Sequence, residues 1–254
     1  MRTVIFAGGQ GSRISEETHS IPKPMIKVGN KPILEHIFCL YSSYGYHKFT
    51  VLCGYKGHVI RRYVRDLFEE KFDVSVDLSK GVFSTSKNPL NSYVWEINTL
   101  ETGLSAETGS RLKQAIESFD DDIFFATYGD GLSDIDISKL LEFHRSHGKL
   151  ATVTAVQAKS RFGSLSIEGN SVVSFVEKNS ESENWINGGF FVLSRKILDY
   201  IEGNESFEYN VLPRLVASGE LMSFKHKGIW QPMDTLKDRQ YLENMILEGK
   251  LPWS

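Results

Sequence analysis

The feature that most constrains the fold is a glycine-rich turn at the end of the first apolar run. Residues 3–7 (TVIFA) lead at once into Gly8, Gly9 and Gly11, and the turn ends at Arg13. Glycines let the backbone approach a ligand closely and point N–H groups at it, and such a turn after a first strand favours an anion, usually a phosphate. The sequence therefore predicts a buried strand with an anion-binding turn beyond it.

The segments that follow alternate between helical and strand patterns. Apolar residues recur at helical spacing from Pro32 to Gly45 and again over 58–70, while 48–54 and 73–78 have the pattern of strands. This β-α-β-α-β order predicts an α/β protein with a doubly wound, mostly parallel sheet. No repeat or low-complexity linker divides the chain, so we expect a single domain over 1–254.

The rest of the chain contains further elements of both kinds. Residues 79–92 are polar and turn-rich, which predicts a loop. We expect strands over 93–101, 122–131 and 150–158, a hairpin that turns at 169–170, and helices over 108–119, 136–148, 195–202, 209–217 and 235–249.

Two well-known phosphate-binding turns do not match this one. A P-loop ends in GK[ST], whereas Gly11 is followed by Ser12 and Arg13. A dinucleotide fingerprint counted from Gly9 needs a third glycine where this chain has Ile14. The second mismatch argues against an NAD-dependent oxidoreductase.

The composition excludes several other classes of function. The net charge of −3 provides no basic excess, so we expect neither nucleic acid nor a membrane surface as a partner. Cys39 and Cys53 lack the spacing of a metal site, which predicts two reduced thiols. The first apolar run is too short for a signal peptide, so we expect a cytoplasmic protein.

Three charged residues have the sequence context of a phosphate or metal site. Lys23 lies between the two prolines of PKPM, Asp130 follows a predicted buried strand, and Asp234 precedes the last predicted helix. Carboxylates at the carboxyl end of a sheet can hold Mg²⁺. The alternatives are a solvated lysine, an Asp-Gly turn and an aspartate that caps the last helix.

A second polar group lies at the ends of later predicted strands. Glu177 and Lys178 end one strand, and Asn187 precedes two glycines and an aromatic strand. Lys178 can bind a second phosphate, and Glu177 and Asn187 can bind hydroxyl or amine groups. The alternative is a set of solvated strand ends.

In this order, the motifs resemble those of the sugar-phosphate nucleotidyltransferases, and within that family those of the cytidylyl branch. The similar stretches cover nearly the whole chain: FAGGQGSRISEET, PKPM, GNKPILEHI, GYKGHVI, TYGDG, RFGSLSI, INGGFFVLS, GELMSF and WQPMDTLKDR. The resemblance implies a Rossmann-like nucleotidyltransferase fold with a small β-rich acceptor-binding excursion. It also implies a homo-oligomer, in many members a hexamer.

The resemblance implies a reaction as well. CTP and a phosphate monoester, with glucose 1-phosphate as the first expectation, give a CDP-linked product and pyrophosphate, and Mg²⁺ is the cofactor. In this assignment Arg13 and Lys23 are catalytic, and Asp130 and Asp234 bind the metal. The nucleotide is bound by Phe6, Ala7, Gly8, Gly9, Gln10, Gly11, Ser12, Arg111 and Gly129. The acceptor is bound by Gly163, Glu177, Lys178 and Asn187.

The sequence departs from the family pattern at several positions, among them Ile21, Ser110, Asn179 and Asn210. The last two lie in the acceptor half, and Asn210 replaces a carboxylate. A different acceptor, such as phosphoglutamine, is therefore an alternative, as is divergence without a change of substrate. A third alternative is a regulatory homologue that binds nucleotide without catalysis, against which the presence of Arg13, Lys23, Asp130 and Asp234 argues.

Overall fold

The computed structural model describes residues 1–9, 21–87, 95–157, 164–168, 171–176 and 185–251. The described strands are β1 (Arg2–Phe6), β2 (Lys27–Val28), β3 (Lys31–Pro32), β4 (Lys48–Cys53), β5 (Phe72–Asp77), β6 (Val82–Lys87), β7 (Glu96–Glu101), β8 (Ile123–Tyr128), β9 (Gly131–Ser133), β10 (Ala151–Gln157), β11 (Ser164–Glu168), β12 (Ser171–Val176), β13 (Trp185–Ser194), β14 (Leu221–His226) and β15 (Trp230–Pro232). The described α-helices are α1 (Ile33–Ser43), α2 (Gly57–Lys71), α3 (Thr108–Glu117), α4 (Ile137–His147), α5 (Leu212–Ala217) and α6 (Leu236–Leu247).

A seven-stranded sheet forms the centre of the fold, with the order β14-β10-β13-β8-β1-β4-β7. Strand β1 is parallel to both β4 and β8, β4 is parallel to β7, and β10 is parallel to β14. Strand β13 runs antiparallel between β8 and β10. The prediction of a doubly wound, mostly parallel sheet is confirmed.

Alternate residues of the central strands point to opposite faces of this sheet, and a separate apolar core covers each face. On one face, Ile5 and Phe125 pack with Ile37 and other residues of α1. On the other face, Val4 and Phe124 pack with residues of α3. Because both faces are buried, β1 and β8 have nearly continuous apolar sequences, as strands of parallel sheets do.

The predicted loop over 79–92 is wrong in part, because it contains β6. Strand β6 pairs antiparallel with β5 in a hairpin outside the main sheet, and the strand next to β4 is β7. The sequence of β6, VFSTSK, has too few apolar residues to indicate a strand. The expected hairpin beyond β10 is present as β11 and β12, and its turn at 169–170 lies outside the described residues.

Two predicted helices differ in their type. The helix expected over 195–202 is present as a 3₁₀-helix, Arg195–Tyr200. The helix predicted over 209–217 begins as a π-helical turn, Phe207–Val211, and continues as α5. Pro213 has no N–H group to donate to a carbonyl of the preceding turn, which is consistent with the irregular start.

Both cysteines are free thiols, as predicted, and Cys53 is buried. Across the part of the chain that the structure describes, no helix has both the length and the apolar character needed to cross a membrane.

Candidate active site

A pocket of about 460 Å³ opens at the carboxyl ends of β1 and β8. Ligands of open α/β sheets bind at this edge. Its described lining residues come from the glycine turn, the PKPM turn, the segment that enters α3, and the end of β8: Phe6, Ala7, Gly8, Gly9, Lys23, Pro24, Leu104, Ala106, Glu107, Thr108, Arg111, Tyr128, Gly129 and Asp130. The pocket thus brings together predicted nucleotide, catalytic and metal residues.

Backbone hydrogen bonds fix the first part of the glycine turn to the neighbouring strands. Ala7 N donates to Leu52 O at 3.1 Å, and Gly129 N donates to Phe6 O at 2.9 Å. A Cβ on Gly129 would lie 2.9 Å from both Phe6 O and Pro24 Cγ. Position 129 therefore needs glycine because two segments of the pocket wall meet there.

We expect Gly129→Ala to reduce the free energy of unfolding by about 1–3 kcal/mol, because the methyl group would push β1 and the PKPM turn apart. The matched control is Gly131→Ala, whose Cβ would find its nearest neighbour at 3.7 Å, an ordinary contact. Urea denaturation of both variants measures the difference. Equal stability of the two variants would contradict this account of position 129.

Arg111 is buried beneath the turn rather than held out toward the solvent. Its Nη1 donates to Cys53 O at 3.1 Å and to Thr102 Oγ1, and a Cβ on Gly8 or Gly54 would collide with the guanidinium. Burial lowers the pKa of Arg111, and the negative charges of Glu101 and Glu107 oppose this effect. The guanidinium thus provides a buried positive charge directly under the predicted phosphate-binding backbone.

Lys23 bridges the two carboxylates that the sequence analysis assigns to a metal. Its Nζ lies 2.7 Å from Asp130 Oδ2 and 2.7 Å from Asp234 Oδ1. The two carboxylate oxygens therefore lie within twice that distance of each other. Burial acts to lower the pKa of Lys23, but the two carboxylates outweigh it and the pKa is raised. Lys23 is 8% exposed, so it is not a solvated lysine.

A two-stranded ribbon brings the two aspartates together across the chain. Strands β9 and β15 pair antiparallel with Gly131 opposite Pro232, and Met233 N donates to Asp130 O at 2.8 Å. Asp130 and Asp234 flank this paired end of the ribbon. The cap of α6 is Thr235 in a capping box with Asp238, so Asp234 is not the capping residue.

The predicted acceptor residue Asn187 lies on β13, beside β8. Its Nδ2 donates to Tyr128 Oη at 3.4 Å, and its Oδ1 accepts from Gly189 N at 2.8 Å. Sequence reasoning did not assign a role to Tyr128, to Thr108 or to Glu208, whose carboxylate accepts hydrogen bonds from both hydroxyl groups. Tyr128 precedes Gly129 and Asp130 in the TYGDG motif, which is a signal that could have identified it.

The remaining predicted site residues, and one of the departures, lie outside the described residues: Gln10, Gly11, Ser12, Arg13, Gly163, Glu177, Lys178 and Asn179. Asn210, another departure, is exposed, and its Oδ1 accepts from Ser206 N at 3.2 Å. Asn210 thus stabilises the start of the π-helical turn and is not among the described residues that line the pocket.

Comparison with known proteins identifies the family to which the chain is similar. Residues 2–244 match the model of the nucleotidyl transferase family. A glucose-1-phosphate cytidylyltransferase of Salmonella typhi is 44% identical over 100% of this chain and 98% of its own length. A probable glucose-1-phosphate cytidylyltransferase of Bacillus subtilis is 40% identical over 100% of this chain and 99% of its own.

The fold agrees with these matches. The crystal structure of HddC from Yersinia pseudotuberculosis is similar with a TM-score of 0.70 and 25% sequence identity, over 96% of this chain and 99% of that one. A full-length match in sequence therefore coincides with a pocket lined by the start of the glycine turn, the buried Lys23 and Asp130, and Lys23 also contacts Asp234. The chain belongs to the nucleotidyl transferase family of enzymes.

Proposed function

We propose that the protein transfers the cytidylyl group of CTP to the phosphate of glucose 1-phosphate, forming CDP-glucose and pyrophosphate. The observation that carries the transfer chemistry is the contact of Lys23 with Asp130 and Asp234 at one end of the glycine-turn pocket. The choice of CTP and glucose 1-phosphate rests on the two relatives with 44% and 40% identity over the whole chain.

In this proposal an oxygen of the acceptor phosphate attacks the α-phosphorus of CTP in line. The new P–O bond forms as the bond between the α-phosphorus and the oxygen that bridges to the β-phosphorus breaks, and pyrophosphate leaves with that electron pair. The nucleophile is already anionic, so no side-chain base and no covalent enzyme intermediate are needed. Because two polyanions must meet, positioning and neutralisation of charge provide the catalysis.

The described residues divide these tasks by position. We assign the nucleotide to the backbone of the first part of the glycine turn, residues Phe6, Ala7, Gly8 and Gly9. Arg111 lies beneath this backbone, and Gly129 lets β1 and the PKPM turn meet in the pocket wall. Lys23 places an ammonium group beside the reacting phosphates. We assign Arg13 to the leaving pyrophosphate, and Gln10, Gly11 and Ser12 to the nucleotide. Gly163, Glu177, Lys178 and Asn187 are assigned to the acceptor, with Lys178 on its phosphate.

Asp130 and Asp234 fit a magnesium ion. Carboxylate oxygens are the ligands that Mg²⁺ prefers, and it is usually bound by one or two carboxylates together with substrate phosphates and water. In this proposal the protein ligands are the two carboxylates that contact Lys23, and substrate phosphates and water would complete the coordination. Bound there, Mg²⁺ would neutralise charge on the phosphates.

The test is the release of pyrophosphate by the purified protein with Mg²⁺ and CTP. Glucose 1-phosphate is compared with other phosphorylated acceptors, including phosphoglutamine, and CTP with the other nucleoside triphosphates. We expect rapid release with CTP and glucose 1-phosphate. Release with another acceptor only would contradict the assignment of glucose 1-phosphate, and binding of CTP without release would indicate a regulatory homologue.

We also propose a homo-oligomer, on the basis of the family resemblance. Size-exclusion chromatography with light scattering gives its mass, and a monomer at micromolar concentration would contradict this proposal.

A further inference from the structure

A carboxylate lies behind the pocket wall and accepts hydrogen bonds from three hydroxyl groups. Glu208 Oε1 accepts from Tyr128 Oη at 2.5 Å, and Glu208 Oε2 accepts from Thr108 Oγ1 at 2.5 Å and Ser206 Oγ at 2.9 Å. Tyr128 and Thr108 line the pocket, whereas Glu208 is not among its described lining residues. Glu208 can therefore affect a ligand through these two hydroxyl groups.

The directions of these hydrogen bonds follow from counting protons. A carboxylate only accepts, and a hydroxyl group has a single proton to donate. The Tyr128 proton is therefore directed at Glu208, and so is the Thr108 proton. Thr108 Oγ1 also accepts from Phe207 N at 2.8 Å, which occupies one of its lone pairs. Asn187 Nδ2 donates to one lone pair of the Tyr128 oxygen, so toward the pocket this oxygen has one lone pair left and no proton.

The hydrogen bond to Glu208 also decides which groups the Tyr128 oxygen can pair with. With its proton directed at Glu208, the Tyr128 hydroxyl group presents an acceptor toward the pocket. A phosphate group has only acceptors and no donor for such an oxygen, so phosphates are disfavoured at this part of the wall.

The segment that carries Glu208 is held firmly against α3. Gly109 N donates to Glu205 O at 2.8 Å, and a Cβ on Gly109 would lie 2.6 Å from that oxygen. Ser206 Oγ accepts from Tyr209 N at 3.2 Å and so caps the π-helical turn that contains Glu208. Turns of this type are rare and are frequent at functional sites.

We propose that Glu208 is a positioning residue that turns the Tyr128 proton away from the pocket, so that the Tyr128 oxygen accepts a hydrogen bond from a hydroxyl group of the acceptor. Asn187 Nδ2, which contacts the same oxygen at 3.4 Å, has a second N–H that can donate to that hydroxyl group. Together, Tyr128 and Asn187 select a ligand group that both donates and accepts a hydrogen bond. A sugar hydroxyl group has this property. This inference rests on the proposed function, in which the acceptor is a sugar phosphate.

The experiment compares glucose 1-phosphate with analogues in which one ring hydroxyl at a time is replaced by fluorine. Fluorine accepts weakly and cannot donate, so it retains the contact with Asn187 and loses the one with Tyr128. We expect the parent enzyme to lose about tenfold or more in kcat/KM at one ring position, because a site built to pair a hydroxyl group rejects an analogue that leaves its polar groups unpaired.

Glu208→Gln tests the role of the carboxylate. Two hydroxyl groups donate to Oε2, so the single amide oxygen of glutamine is expected to remain there and the NH₂ group to face Tyr128. The Tyr128 proton then turns toward the pocket and can donate to fluorine. At that ring position we expect the ratio of kcat/KM between hydroxyl and fluoro substrates to fall by about fivefold or more.

Two further variants complete the design. Tyr128→Phe removes the phenol oxygen and keeps Glu208 in the sequence. This variant should no longer discriminate between the hydroxyl and fluoro substrates at that ring position. Glu202→Gln is the matched control, because Glu202 is an exposed carboxylate of the preceding loop and should retain the parent ratio. Since the readout is a ratio of two substrates on one protein, a loss of folded enzyme cancels out.

An unchanged ratio at every ring position in Glu208→Gln would overturn the inference while leaving the proposed function intact. So would a parent enzyme that turns over glucose 1-phosphate and shows no discrimination at any position. A parent enzyme that does not turn over glucose 1-phosphate would overturn the proposed acceptor and, with it, this inference.

Discussion

Asp130→Asn is expected to reduce kcat by about 10³-fold, because it removes one of the two carboxylates that contact Lys23 and that we assign to Mg²⁺. Asparagine is similar in size and its Oδ1 can still accept a hydrogen bond from Lys23 Nζ, which the carboxylate contacts at 2.7 Å. The geometry of the turn is therefore kept while the negative charge is lost. A loss of about 4 kcal/mol in stabilisation of the transition state corresponds to this factor.

The measurement is steady-state release of pyrophosphate with CTP and glucose 1-phosphate. The matched control is Asp136→Asn, at the N-cap of α4, where the side chain accepts from Lys139 N at 2.9 Å. Asparagine caps helices about as well as aspartate, so stability and kcat should both be retained in the control. A folded Asp130→Asn enzyme with kcat within tenfold of the parent would rule out the proposed role of Asp130.

Arg13→Ala is expected to reduce turnover by about two to three orders of magnitude while the fold survives. In the sequence, Arg13 ends the GGQGSR segment that follows β1. In the proposed reaction a fixed positive charge there would offset the charge that develops on the leaving pyrophosphate, and its loss would cost about 2.7–4 kcal/mol by analogy with oxyanion donors.

Two further variants, Arg13→Lys and Arg62→Ala, test whether the effect depends on the guanidinium group at position 13. Lysine keeps the charge and loses the two-pronged geometry, so an intermediate rate is expected. Arg62 is an exposed residue of α2, and its replacement by alanine should leave the rate unchanged. Thermal melts check that each variant is folded. Near-normal turnover of a folded Arg13→Ala protein would exclude Arg13 from the reaction.

The sequence predicted the fold best for elements whose own residues indicate whether they are buried or turn. The apolar run of β1 and the glycines that follow it predict a buried strand and a turn that binds an anion, because burial and backbone freedom are properties of those residues themselves. Strands β4 and β8 and helix α1 were predicted for the same reason, because their apolar residues form runs long enough to distinguish a strand from a helix. The sequence was least informative for β6, a polar strand that pairs with β5 in a hairpin outside the main sheet.

In the candidate site, too, the sequence indicates individual side chains but does not show which of them are in contact. TYGDG and WQPMDT each indicate a carboxylate near a strand or helix end, but neither shows that the two meet. Their meeting depends on β9 and β15, strands of three residues each, which are too short for a recognisable pattern. Glu208 is a further case, since its partners Thr108 and Tyr128 are 100 and 80 residues away in the chain.

By itself, the sequence determined the class of fold, the position of the glycine turn that we assign to phosphate and the candidate charged residues, because these depend on local pattern and on the chemistry of individual side chains. Only the tertiary structure decided that Lys23 is buried between Asp130 and Asp234, that Arg111 lies beneath Gly8, and that Glu208 accepts a hydrogen bond from Tyr128. These are pairings between distant segments, and they follow from which strand ends the sheet places side by side.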